Sequence, residues 1–248
     1  MPRFFVDPHN IEDGKITLER EDAEHIKVIR MRPGENFIAC DGRGLDYLCS
    51  LEHCDGRVAS AEILDSFDCP AEPSVHCTVF AAFPKGDRSD YIVQKCTEVG
   101  AAEIVFFPSE CTVSRPDPKS LGKKLIRWQK IAKEAAKQSG RGRVPTLSSA
   151  ETFKMAVSMA AVSELPLMMY ELSGSQRRPL RQVLESVTAP LKTAAIITGA
   201  EGGFTQQEAD YAMTAGLHLC SMGPRILRCE TAPVIAVGAL MYSTGNLD

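Results

Sequence analysis

The chain predicts an α/β domain with a mostly parallel sheet, preceded by a small β-barrel. Three observations carry that reading. Residues 1–70 hold short apolar stretches separated by turn signals such as Asp41-Gly42 and Asp55-Gly56. Residues 68–74 (DCPAEPS) carry two prolines and read as a linker. Beyond the linker, apolar strand-like runs alternate with helical stretches, the pattern of a parallel sheet covered by helices. Domains are therefore expected at 1–70 and 75–248.

In the first domain, strands are expected at 15–18, 36–40, 47–51 and 58–64, with one short helix over 22–30 placing Ile26 and Ile29 inward. In the second, strands are expected at 77–82, 104–107, 167–170, 194–198 and 217–222. Asp87 is positioned to cap a helix running through Val99, with Gly100 just past its end. A longer helix covers 121–139, where Leu121, Leu125, Trp128, Ala132 and Ala135 share one face. Thr205 and Glu208 have capping-box spacing, and 233–242 reads as an apolar helix.

A chain of 248 residues, 44% hydrophobic and 24% charged, has enough apolar content for a proper core. No apolar run is long enough to cross a bilayer, and the start lacks the apolar stretch of a signal peptide. A cytoplasmic protein with no membrane partner is expected. The nine cysteines include no CxxC pair, so no metal is expected and buried, reduced thiols are. Net charge is −4, but nine cations between Lys119 and Arg143 face only the carboxylate of Glu134. Lys123, Arg127 and Lys130 lie opposite the apolar face, and Arg141 and Arg143 extend the charge into a Gly-rich loop. Such a stripe is either a solvated surface or a phosphate footprint.

Two connections concentrate chemistry. The strand ending at Thr198 runs into Gly199, Ala200, Glu201, Gly202 and Gly203 before a helix begins. Glycines at the carboxyl end of a parallel strand let a ligand approach backbone groups closely. The loop has neither a GxGxxG pattern nor a Walker lysine, so a plain tight turn stays open, and a dinucleotide oxidoreductase lacks its fingerprint. The second connection, residues 222–232 (MGPRILRCETA), packs a Gly-Pro turn, two arginines, a glutamate and a threonine between a strand and a helix. Two such loops at neighbouring strand ends would form a ligand crevice.

At this point the chain resembles a known family, the bacterial 16S ribosomal RNA (uracil-N3)-methyltransferases of the SPOUT superfamily. The resemblance runs nearly end to end, through RFFV at 3–6, HIKVIR at 25–30, KGDR at 85–88 and QKCTEVG at 94–100. It continues through RWQKIAKEAAKQSGR at 127–141, GAEGGF at 199–204 and GPRILRCETA at 223–232. Three positions depart from the family's usual residues: Ala200 stands where proline is common, Cys111 where arginine is, and Glu24 where histidine is.

The resemblance implies a PUA-like β-barrel, a SPOUT-type parallel sheet with a C-terminal trefoil knot, a homodimer, and S-adenosylmethionine as cofactor. It implies methylation of N3 of a uridine in 16S rRNA of the small ribosomal subunit. Carried onto this chain, the cofactor residues are Thr198, Gly199, Ala200, Glu201, Gly202, Gly203, Met222, Gly223, Ile226, Leu227, Arg228 and Thr231, with the strand end from Tyr170 to Leu172 as a third contact. Uracil N3 carries a proton and is a poor nucleophile until that proton leaves, so a base or cationic stabilisers are needed. Glu201 and Glu230 are the candidate bases; Arg225 and Arg228 are the candidate anion stabilisers. Cys229 as a covalent nucleophile is disfavoured, because thiolate attack activates a ring carbon and N3 transfer does not need it. RNA contacts are expected from Arg3, Arg30, Lys85, Arg88, Lys95, Lys123, Arg127, Lys130, Arg141 and Arg143. A catalytically silent RNA-binding protein and a knotted methyltransferase with another target are the remaining alternatives.

Overall fold

A computed structural model describes residues 1–171 and 177–247. The chain forms two compact units, one made of residues 1–72 with 136–144 and the other of the remainder.

The first unit holds β1 (Arg3–Phe5), β2 (Ile11–Glu12), β3 (Lys15–Glu19), helix α1 (Glu21–Val28), β4 (Asn36–Cys40), β5 (Leu45–Cys54) and β6 (Val58–Asp68). The strands make one sheet in the order β1-β4-β5-β6-β3-β2. All neighbours are antiparallel except β1 and β4. Asp41 and Asp55 act as anticipated: each carboxylate accepts backbone N–H bonds from residues two to four further on and closes a turn. Alternation buries Ile16, Leu18, Phe37 and Ala39, and Phe4 meets Phe37 edge-on at 5.4 Å. Register shifts at Leu48/Cys49 and Leu51/His53 mark irregularities that bend the long β5–β6 pair. Helix α1 ends earlier than the sequence suggests. Ile29 is its C-cap and 40% exposed, and the next residue, Arg30, turns left-handed at φ 57°.

The segment 136–144 corrects the expected boundary. Sequence places it in the second domain, whereas it belongs to the first unit. Glu72 explains why. Its carboxylate accepts from Arg141 Nε (3.2 Å) and Nη2 (3.0 Å) and from the N–H groups of Gly142 and Arg143 (2.9 Å each). A Cβ on Gly142 would sit 2.6 Å from that of Cys69, so only glycine fits there.

The second unit contains β7 (His76–Ala82), α2 (Arg88–Val99), β8 (Glu103–Phe107), most of α3 (Pro118–Ser139), β9 (Thr146–Ser149), α4 (Phe153–Ala160), β10 (Leu165–Met169), β11 (Arg178–Pro179), α5 (Leu180–Glu185), β12 (Thr193–Thr198), α6 (Gln206–Thr214), β13 (His218–Ser221) and α7 (Thr231–Ser243). Among the described residues its seven strands run in the order β11-β13-β10-β12-β7-β8-β9, every pair parallel. Sequence did not show β9, which is polar, or β11, which has two residues and ends in proline. Helix α2 stops at Gly100 (φ 113°) as expected, but the Asp87 side chain makes no cap bond. In α3, Trp128, Ala132 and Ala135 are buried, while Leu121 and Leu125 are half-buried. The Trp128 ring lies 4.3 Å from that of Phe106, and its Nε1–H donates to Asp90 at 3.1 Å.

Candidate active site

The carboxyl ends of β12, β10 and β13, adjacent in the sheet, deliver three connections to one place. Open parallel sheets bind ligands at such strand ends. After β12, Gly203 closes the first turn by donating its N–H to the Ala200 carbonyl at 3.0 Å. Gly203 has φ 64°, and a side chain there would overlap the Glu171 carboxylate. Phe204 then drops into the core, stacked on Phe107 at 6.4 Å between centroids. The capping box is present: the Thr205 hydroxyl accepts from Glu208 N, and the Glu208 carboxylate accepts from Thr205 N at 3.0 Å. The turn is thus pinned at its far end by an aromatic anchor and a helix cap.

After β13, the second connection turns at Gly223 (φ 93°) and Pro224. It re-enters helix where Thr231 and Ala232 donate to the Arg228 carbonyl. Both connections line one cavity of about 460 Å³, within the ~300–1,000 Å³ usual for small-molecule sites. Thr198, Gly199, Ala200, Glu201 and Gly203 line it from one side; Met222, Gly223, Arg225, Ile226, Leu227, Arg228 and Glu230 do so from the other. Gly202 and Thr231 are not on its wall. Gly202 packs against Cys111, where an added Cβ would be 2.9 Å from the cysteine's, and Thr231 starts α7. Leu172 lies outside the described residues, but its neighbour Glu171 is on the wall. Tyr170 and Glu171, at the expected strand end, are on the wall, whereas sequence reasoning missed Arg88 as a cavity residue, for which there was no cavity signal.

Electrostatics separates the four candidate catalytic residues. The Glu201 carboxylate accepts the Lys85 N–H at 2.9 Å and is in ion-pair contact with Arg88. Burial by itself raises its pKa, but these hydrogen bonds, its own N–H and the Arg88 charge outweigh it and hold the pKa below the ordinary range. Glu230 accepts the Cys229 thiol at 3.2 Å and faces Arg88 Nε at 3.5 Å. Arg225 and Arg228 are exposed and make no side-chain hydrogen bond or ion pair among the described residues. Burial, with the Glu230 hydrogen bond and the charges of Glu201 and Glu230, pushes the Cys229 thiol up to about 12, so it is no thiolate at neutral pH.

The expected RNA contacts divide. Lys85, Lys123, Lys130, Arg30 and Arg143 are exposed. Lys95 pairs with Glu98, and Arg127 with Asp90. Arg88 faces the cavity instead. Two residues turn inward within the first unit. Arg3 forms a two-pronged ion pair, both contacts 2.6 Å, with the fully buried Asp46. Arg141 is 2% exposed on Glu72. Neither guanidinium is presented at the surface as sequence suggests. Among the described residues there is no helix long and apolar enough to cross a membrane and no cluster of potential metal ligands.

A parallel sheet with a glycine-lined cavity at its strand ends, in a chain that also carries a separate β unit, fits the two domains of an RNA methyltransferase. Residues 71–241 match the RNA methyltransferase domain model, and residues 18–64 match the RNA methyltransferase PUA domain model. The chain belongs to the family of ribosomal RNA small subunit methyltransferase E. It is 31% identical to that protein of Bacillus subtilis over 98% of this chain and 97% of the relative. With that of Synechocystis it shares 30% over 96% and 76%. The crystal structure of the Neisseria gonorrhoeae protein bound to S-adenosyl methionine superposes with a TM-score of 0.81, at 32% identity over 98% of this chain and 97% of that one.

Proposed function

We propose that this protein methylates N3 of a uridine in 16S rRNA of the small subunit, with S-adenosylmethionine as donor. The observation that carries the reading is the single cavity enclosed by the two loops, in a chain similar along its length to a methyltransferase crystallised with that cofactor. The wall suits such a ligand. Glycine backbone at 199 and 203 allows close approach, Met169, Ile226 and Leu227 give apolar surface, and carboxylates offer partners to a cation.

When bound, the cofactor supplies an electrophilic methyl group on a sulfonium. The chain's residues then hold the nucleotide in line and exclude water. Arg225 and Arg228, which have no carboxylate partner among the described residues, stabilise negative charge on the carbonyls flanking N3. Glu230 accepts the N3 proton, since the Glu201 carboxylate is engaged by the Lys85 N–H and by Arg88, which hold its pKa below the ordinary carboxylate range. The N3 lone pair forms the new bond to carbon as the C–S pair leaves with sulfur. Exposed Lys85, Lys123, Lys130, Arg30 and Arg143 provide phosphate contacts.

The reading includes a cytoplasmic homodimer with a knotted C-terminal region. Helix α7 supports the pairing: its composition is apolar on every face, and it leaves Ile235 49% and Tyr242 73% exposed. The test is methylation of small-subunit particles lacking the modification, followed by mass spectrometry of digested RNA. A methyl on uridine N3 is expected; methyl on ribose, or none, would overturn the assignment.

A further inference from the structure

We infer that Arg88 is a positioning residue that ties the two cofactor loops together, so that the cavity holds its shape only while this guanidinium bridges them. The inference rests on the cofactor reading above. Arg88 begins α2, just beyond the carboxyl end of β7, which pairs directly with β12. Gly86, at φ 64°, makes the turn that brings Lys85 and Arg88 to bear on one target. Lys85 donates its backbone N–H to Glu201 Oε1 at 2.9 Å, and the Arg88 guanidinium contacts the same oxygen. Arg88 Nε also lies 3.5 Å from Glu230 Oε2. Glu201 sits on the first loop and Glu230 on the second, and Arg88 alone reaches both among the described residues.

Geometry sets why arginine is needed. The planar fork presents donors in two directions, whereas a lysine ammonium is a point charge on a flexible stem. Without a cation between them, Glu201 and Glu230 would be two carboxylates on the wall of one cavity, repelling and pushing the loops apart. The contact is partly shielded: the side chains of Arg88, Glu201 and Glu230 are 37%, 31% and 18% exposed. It is less screened by solvent than a fully exposed pair and avoids the full desolvation cost of a buried one.

The test is calorimetric titration of the full-length protein with S-adenosylmethionine, without RNA. R88Q is expected to raise Kd about tenfold, within the usual range of coupling between sites, and R88K to recover only a minor part of that loss, because a point charge does not span both carboxylates. E230Q in the parent background is expected to weaken binding; added to R88Q it should leave Kd unchanged or lower it, because the repulsion is relieved. Equal Kd for R88Q and parent overturns the inference. So does an E230Q effect of the same size in both backgrounds. If R88Q does not fold, the comparison of R88K with E230Q and E201Q decides: additive losses in the double variants overturn the tie. A parent protein that binds no cofactor would overturn the functional reading instead.

Discussion

Single residues decide whether the cavity works, and two substitutions separate chemistry from framework. Arg228→Ala should lower kcat by about 100-fold, the loss typical of one removed charge stabiliser, with cofactor Kd within about threefold of parent. Kinetics of small-subunit methylation would show it; a variant that loses cofactor binding instead would move Arg228 from catalysis to binding. Cys229→Ser should retain methyl transfer within about threefold, because a thiol raised to about 12 has almost no thiolate at neutral pH. Activity lost in that variant while cofactor affinity held would restore the covalent alternative. Arg141 makes the contrasting case. Its removal leaves the Glu72 carboxylate without its charged partner, so Arg141→Ala should cost about 3 kcal/mol of stability in denaturant titration and change RNA affinity little. The sequence could not tell Arg141 from Arg143. Both sit in GRGR, and the deciding carboxylate lies 69 positions earlier.

At the level of elements, periodicity made most of the fold legible. Alternation placed β3 to β6, and apolar runs placed five of the parallel strands, because burial of alternate or continuous apolar residues is what a sheet requires. Thr205 and Glu208 announced α6 by local chemistry alone. The strands that escaped, β1, β2, β9 and β11, have two to four residues each and lie at the edges of their sheets, too short for a periodic signal. The two loops were legible as glycine and charge at strand ends, whereas the contribution of α2 was not, since Arg88 reaches the cavity only through the adjacency of β7 and β12. The first loop's conformation is testable. Gly203→Ala would force a side chain into left-handed backbone and against Glu171, and should weaken cofactor binding more than tenfold while costing about 1–2 kcal/mol in stability. Unchanged affinity would show that the turn does not face the ligand.

Across the whole molecule, buried thiols make stability depend on alkaline pH. Desolvation raises Cys40, Cys77 and Cys220 to about 12 from an ordinary 9.0. The unfolded chain therefore loses these protons first. Their contribution is intact below about pH 9 and is lost as pH rises from 9 toward 12. Thermal unfolding should show a steady Tm decline across that window, and Cys77→Ala should make the decline shallower; equal slopes would rule out the thiol's contribution. The return of residues 136–144 to the first unit has a consequence for synthesis. Chain leaves the ribosome N-terminus first, yet the clasp on Glu72 lies 69 residues downstream of it. The unit made earliest is therefore the one that must wait. It matures only after a large part of its neighbour has already emerged, and a gene cut at residue 72 would encode a fragment missing the strap that closes it.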